Sequence, residues 1–331
     1  TTTPRLSSAA SDVYKRQTPH RAMALHSAAM ISPQARAHQE LLRERRDNPP
    51  EVPDGVDPMV AARQANELFA SWATDTGAAA TEVDAGGVRS LWIDPAGGDQ
   101  ERVILYFHGG AYAIGSADHV AKMVGHIADL AGCRALSVDY RLAPEDKFPA
   151  AVDDALTAYG WLLDQGVRPG SVVVAGDSAG GGLTLALLLR ARAAGLPLPA
   201  GAVPISPWAD LGCTNDAWTR NAASDMILQH DRLSLLAQVY LQGADAADPL
   251  ASPVHGDLAG LPPLYIQVSG GETLLDDGFA VAQAAARAGV DVRLDVFPHM
   301  QHVFQYCAGA MPEADDAVAR IANWIRLRTG A

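Results

Sequence analysis

Gly176-Asp177-Ser178-Ala179-Gly180 sets a serine between two glycines in a chain of 331 residues. The run follows Val172-Val173-Val174-Ala175, which reads as a buried strand, and precedes a stretch with helical texture. Turning from strand to helix within so few residues forces the serine into a strained backbone conformation that exposes its hydroxyl, and the glycines make room for the passing strand and helix. A serine hydroxyl becomes a nucleophile only when a base takes its proton, and the adduct it forms needs N–H donors for its oxyanion. His108-Gly109-Gly110-Ala111 follows the apolar run 102–107 directly, and its glycines let backbone N–H groups face a ligand. The expected oxyanion donors are Gly109, Gly110 and Ala179. Taken singly, each motif also fits a small-residue turn. Together, in this strand context, they point to acyl transfer. A phosphate-loop reading fails because no lysine follows the glycines.

These side chains need a scaffold. Apolar runs predict strands over 88–93, 102–107, 135–138, 172–175, 202–205, 264–268 and 292–296. Between and after them, helices are predicted over 149–163, from the serine turn to Gly195, and over 231–242, 277–288 and 312–328. Such alternation implies a mainly parallel sheet covered by helices. Two further helices, over 34–46 and 57–72, precede it, the second with Asp57 as N-cap. Roughly sixty residues separate the strands ending at Ile205 and starting at Leu264. So long a connection predicts an insertion over one edge of the sheet. The expected organisation is a disordered or added leader at 1–20, N-terminal helices at 21–75 that join the cap, a catalytic domain at 76–206 and 246–331, and a cap insertion at 207–245.

Further motifs fall in a definite order: Asp139-Tyr140-Arg141-Leu142-Ala143-Pro144-Glu145, Phe148-Pro149-Ala150-Ala151, Ile205-Ser206-Pro207-Trp208 and Ala251-Ser252-Pro253. With the His108–Tyr112 and Gly176–Gly181 runs, they make the chain from about residue 103 onward resemble the bacterial hormone-sensitive-lipase-like esterases, family IV carboxylesterases of the α/β-hydrolase fold. The resemblance implies a helical cap, a brace for the oxyanion loop in 139–149, and a serine–acid–histidine order. Base candidates are His299 and His302. The family ends this region with a histidine followed by a small or β-branched residue and phenylalanine, which matches His302; His299 becomes a neighbouring surface or pocket side chain. An HxxH zinc reading lacks a third ligand nearby. For the acid, the loop Ser269–Asp277 departs from the family's usual aspartate. Aligned on Leu274 and Asp276, the position falls on Glu272, with Asp276 the alternative; otherwise Asp276 caps the helix 277–288.

By resemblance the reaction is hydrolysis of short- to medium-chain acyl esters through an acyl-enzyme, with no metal or organic cofactor. Tyr112, Asp177, Trp208, Met226 and Leu228 are the expected substrate contacts. An amidase, lactonase or carbamate hydrolase would use the same groups. A non-catalytic receptor would have lost one of the three positions, and all are occupied. The net charge of −13 argues against nucleic acid or an anionic membrane as partner. No apolar run reaches the ~18–20 residues of a membrane span, and Cys133, Cys213 and Cys307 show no disulfide or zinc spacing. A small-molecule ester is therefore the expected partner, a homodimer the assembly the family allows, and the cytoplasm the expected location. His20, His38, His119 and His230 are expected at the surface.

Overall fold

A computed structural model describes residues 31–49, 51–52 and 55–330. The leader expected at 1–20, with His20, lies outside them. Helix α1 (Pro33–Asp47) starts at Ser32, whose hydroxyl accepts from Ala35 N, and α2 (Pro58–Asn66) starts at Asp57, which accepts from the N–H groups of Met59 and Val60. The single helix expected over 57–72 ends at Asn66. A 3-10 turn, Phe69–Ser71, follows and packs Phe69 obliquely on Trp72 and edge-on to Tyr306.

Eight strands form one sheet in the order β1-β2-β4-β3-β5-β6-β7-β8. They are β1 (Ala79–Asp84), β2 (Arg89–Asp94), β3 (Asp99–Phe107), β4 (Cys133–Val138), β5 (Val172–Asp177), β6 (Gly201–Ile205), β7 (Leu264–Ser269) and β8 (Val292–Phe297). β1 and β2 pair antiparallel, as do β2 and β4, and every pair beyond is parallel. The central strands read as continuous apolar runs because both faces are covered. On β3, Val103, Leu105 and Phe107 enter one core and Ile104 and Tyr106 the other. Helices α4 (Ala150–Asp164), α5 (Ala179–Ala193) and α8 (Leu275–Arg287) fill the first core; α3 (Ala121–Ala131) and α9 (Pro312–Thr329) fill the second. Helix α5 is apolar nearly all round and buried nearly all round, as a central helix must be.

Topology sets the site. The chain leaves β3 for β4 on one side, then crosses to β5 on the other. Ligands in open parallel sheets bind where the strand order reverses, beyond the carboxyl ends. Phe107 pairs with Gly176, so the loops after β3 and β5 emerge side by side. The insertion carries α6 (Ala217–Arg220) and α7 (His230–Leu241). Its bonds run to loops beyond the carboxyl ends of β4 and β7: Phe148 N donates to Tyr240 O, and Asn221 donates to the carbonyl of Glu272.

Candidate active site

Ser178 sits where β5 becomes α5, with φ 54° and ψ −119°. That backbone region is costly for any residue with a side chain. It is held by Ser178 N donating to Ile205 O (2.9 Å) and Ser178 O accepting from Trp208 N (2.9 Å). Helix and strand cross so closely that a Cβ on Gly180 would overlap the Phe107 carbonyl, which is why glycine stands there.

The loop after β3 supplies the donors. Gly110 has φ +117°, and Ala111 and Tyr112 follow at 53° and 59°, three successive residues at positive φ. Among the described residues the N–H groups of Gly110, Ala111 and Ala179 have no hydrogen-bond partner. Gly109 is different: its N–H donates to Asp177 Oδ1 (3.1 Å). The Gly109 amide, expected as a donor, is thus already spent, whereas that of Ala111 is unpaired among the described residues. Sequence reasoning missed Ala111 because a motif does not reveal which amides are already spent.

Asp177 is corrected as well. It was expected to touch substrate, yet it is buried and accepts from Tyr106 Oη (2.9 Å), Tyr306 Oη (2.9 Å) and the Gly109 amide. Burial pushes its carboxyl up to about 6, while these donors and the facing His302 oppose the rise. It ties together the serine turn, the oxyanion loop and the segment after the histidine. Tyr112 and Trp208, two more expected substrate contacts, are core: Tyr112 stacks on Tyr240 at 4.0 Å, and the Trp208 indole donates to Asp210 O (3.0 Å). Met226 and Leu228 are half-buried; Met226 lines a cleft of about 320 Å³ with Gln39, Arg43, Gly271, His299 and Gln301.

His302 lies in the loop after β8, and its Nδ1 is 2.6 Å from Glu272 Oε2. The other oxygen, Glu272 Oε1, accepts from Ser269 N (2.7 Å), and the residue is fully buried. Burial works against a charged imidazole, but the Glu272 hydrogen bond and charge, joined by Asp225 and Asp177, outweigh it and hold His302 above the ordinary 6.5. Asp276 is elsewhere engaged: it accepts from Ala217 N (3.0 Å) and Arg220 (2.6 Å). Nor does it cap a helix as expected, since α8 already begins at Leu275. His299 is exposed. Ser178 Oγ carries no hydrogen bond to a described residue, and such contacts are often long before substrate arrives.

Two histidines expected at the surface are not there. His119 is buried edge-on to Tyr306 (5.2 Å), and half-buried His38 meets Trp72 edge-on (4.4 Å). Burial pushes both down to about 4, so they pack as neutral rings at neutral pH. His230 is exposed as expected.

A family model described as the alpha/beta hydrolase fold matches residues 104–306. The crystal structure of an esterase from the bacterial hormone-sensitive lipase family superposes with a TM-score of 0.87 at 42% identity, over 91% of this chain and 100% of that one. The chain belongs to this α/β-hydrolase family. A second member of that fold, EstE5 soaked with p-nitrophenyl butyrate, superposes with a TM-score of 0.84 at 41% identity, over 91% of this chain and 100% of that one. Among curated relatives, an acetyl-hydrolase from Streptomyces hygroscopicus is 44% identical over 271 residues, 82% of this chain and 89% of the relative. For a hydrolase of this family, the model match starts on β3, so α1, α2, β1 and β2 stand outside it. Among the described residues no helix is long and apolar enough to cross a membrane.

Proposed function

We propose that the chain is a serine carboxylesterase that hydrolyses short- to medium-chain acyl esters through an acyl-enzyme. The observation that carries this reading is the buried 2.6 Å contact between His302 Nδ1 and Glu272, in the family's order behind a strained serine. Glu272 fixes the ring so that Nδ1–H donates to it and Nε2 is left to act as base. His302 takes the Ser178 proton as Oγ attacks the ester carbonyl. The oxyanion that forms meets the N–H groups of Gly110, Ala111 and Ala179. His302 then gives its proton to the leaving alcohol, and a water deprotonated by the same ring releases the acid. The scheme uses no metal or organic cofactor.

The acyl range rests on the relatives: one carries the name acetyl-hydrolase, and another was soaked with a butyrate ester. Residues 207–245 act as a cap over the carboxyl ends of the strands, supported by the bonds from that segment to the loops there. A cytoplasmic location, in keeping with three buried free cysteines, belongs to the same proposal, as does a homodimer, which sedimentation velocity would check. Hydrolysis of nitrophenyl acetate, butyrate, octanoate and dodecanoate, beside a matching anilide, is the test. Fast release from the first two, little from dodecanoate and almost none from the anilide is expected. Preferential anilide cleavage would replace esterase with amidase.

A further inference from the structure

Helix α2 precedes β1, outside the stretch matched by the family model, yet one of its side chains reaches the oxyanion loop. Arg63 Nε donates to the carbonyl of Ala113 (2.9 Å), three residues beyond Gly110. Its Nη2 donates to the carbonyl of Ala143 (3.1 Å), and Nη1 and Nη2 grip Glu145 as a fork at 2.9 and 2.7 Å. Ala143 in turn donates its N–H to the carbonyl of Tyr112 (2.8 Å). One guanidinium thus closes a ring through both segments that flank the strained residues: 110–113 on one side and 143–145 on the other.

The ring has work to do. Ala111 and Tyr112 hold positive φ without being glycine, a conformation that reverts unless its surroundings over-determine it. Inside the loop, the Gly110 carbonyl accepts from Ala113 N and Ile114 N, so the Ala113–Ile114 peptide whose carbonyl Arg63 holds also bonds the Gly110–Ala111 peptide that carries the Ala111 N–H. A planar fork with five fixed donors can bind a carboxylate through two bonds and two carbonyls besides, four bonds where an ammonium has three donors. We propose that Arg63 is a positioning residue for the oxyanion hole, acting through the Ala113 and Ala143 carbonyls and Glu145, so that a helix ahead of the stretch matched by the family model sets the aim of the Gly110 and Ala111 amides.

The proposal rests on the esterase reading for its kinetic consequence but not for its structural one, and the two are read separately. Hydrogen exchange of peptides spanning 108–115 is measured in Arg63→Gln, Arg63→Lys and Glu145→Gln, with no substrate present. Protection in that stretch falls in Arg63→Gln, falls less in Arg63→Lys, and least in Glu145→Gln, where the two carbonyl bonds remain. Unchanged protection overturns the proposal whatever the chain hydrolyses. With oxoester and thionoester pairs, kcat for Arg63→Gln falls by roughly 10- to 100-fold, less than the ~10²- to 10³-fold of a deleted oxyanion donor because the amides are misaimed rather than removed, while KM moves less than about twofold. The preference for oxygen over sulfur shrinks, because a misaimed hole no longer discriminates, and added guanidinium restores part of the rate. A fall in rate that follows loss of thermal stability, with the oxygen-to-sulfur preference intact and no guanidinium rescue, would assign Arg63 a merely structural role and overturn it. A wild-type chain that hydrolyses neither ester would fail the esterase reading, leaving exchange to decide on Arg63.

Discussion

Glu272 and Asp225 both face His302, but only Glu272 bonds it, and that difference is open to titration. Because the carboxylates hold the imidazolium above its ordinary 6.5, the base form that catalysis needs appears only as pH rises past that value. The acid limb of kcat/KM should therefore have its midpoint above pH 6.5. Glu272→Gln removes the hydrogen-bonded charge, so the midpoint should move to lower pH while kcat drops by at least roughly 10-fold. A midpoint that stays in place would mean that another group is titrating. Ser178 is legible from its motif alone, since strand, turn and helix texture surround it. His302 and Glu272 needed family resemblance, because a lone histidine and one acid among three nearby (Glu272, Asp276, Asp277) carry no local mark of their role. Ala111 and Arg63 were not legible at all. One depends on which amide Asp177 consumes, the other on a contact across fifty residues of sequence.

Elements rather than single residues hold the acid loop in place. The segment between α6 and α7 clasps it at several points: Asn221 Nδ2 donates to the Glu272 carbonyl (2.7 Å), Ser224 Oγ to the Gly271 carbonyl (3.0 Å), and Asp225 accepts from Thr273 N and Oγ1 (2.8 and 3.0 Å). Buried Asp225 also accepts from the partly buried Ile227 N and Leu228 N, so all its capacity is spent. In Asp225→Asn at least one of these donors loses its acceptor, a cost of about 1–3 kcal/mol. The midpoint of thermal unfolding should fall, and the acid limb of the pH profile should shift to lower pH as one charge facing His302 disappears. Unaltered unfolding would show that the clasp is not a constraint. Sequence periodicity found the strands whose both faces are buried, but it missed β1, which is almost wholly exposed, and it passed over α3 although Met123, Val124, Ile127 and Ala131 keep helical spacing there. It also ran α2 too far, because Phe69 and Trp72 keep a helical spacing while the backbone has already tightened to bring them onto each other.

Across the whole molecule, one strand pair aligns the serine turn with the oxyanion loop, and a two-sided core keeps that pair rigid. Leu105 is fully buried in β3, two residues before the strand's end. Leu105→Ala should cost about 2–5 kcal/mol, measured by denaturant unfolding. A loss below about 1 kcal/mol would show that the sheet can close over the cavity. The fold class followed from strand–helix alternation, since a parallel, helix-covered sheet is what that texture permits. The central claim is that Ser178 is the group that attacks. Its most direct measurement is peptide mapping after treatment with a fluorophosphonate, run on the wild type and on His302→Ala. One adduct per chain on the peptide carrying Ser178, formed far more slowly without the imidazole, is the predicted result. An adduct on another residue, or ester turnover that persists in a folded Ser178→Ala chain, would contradict it.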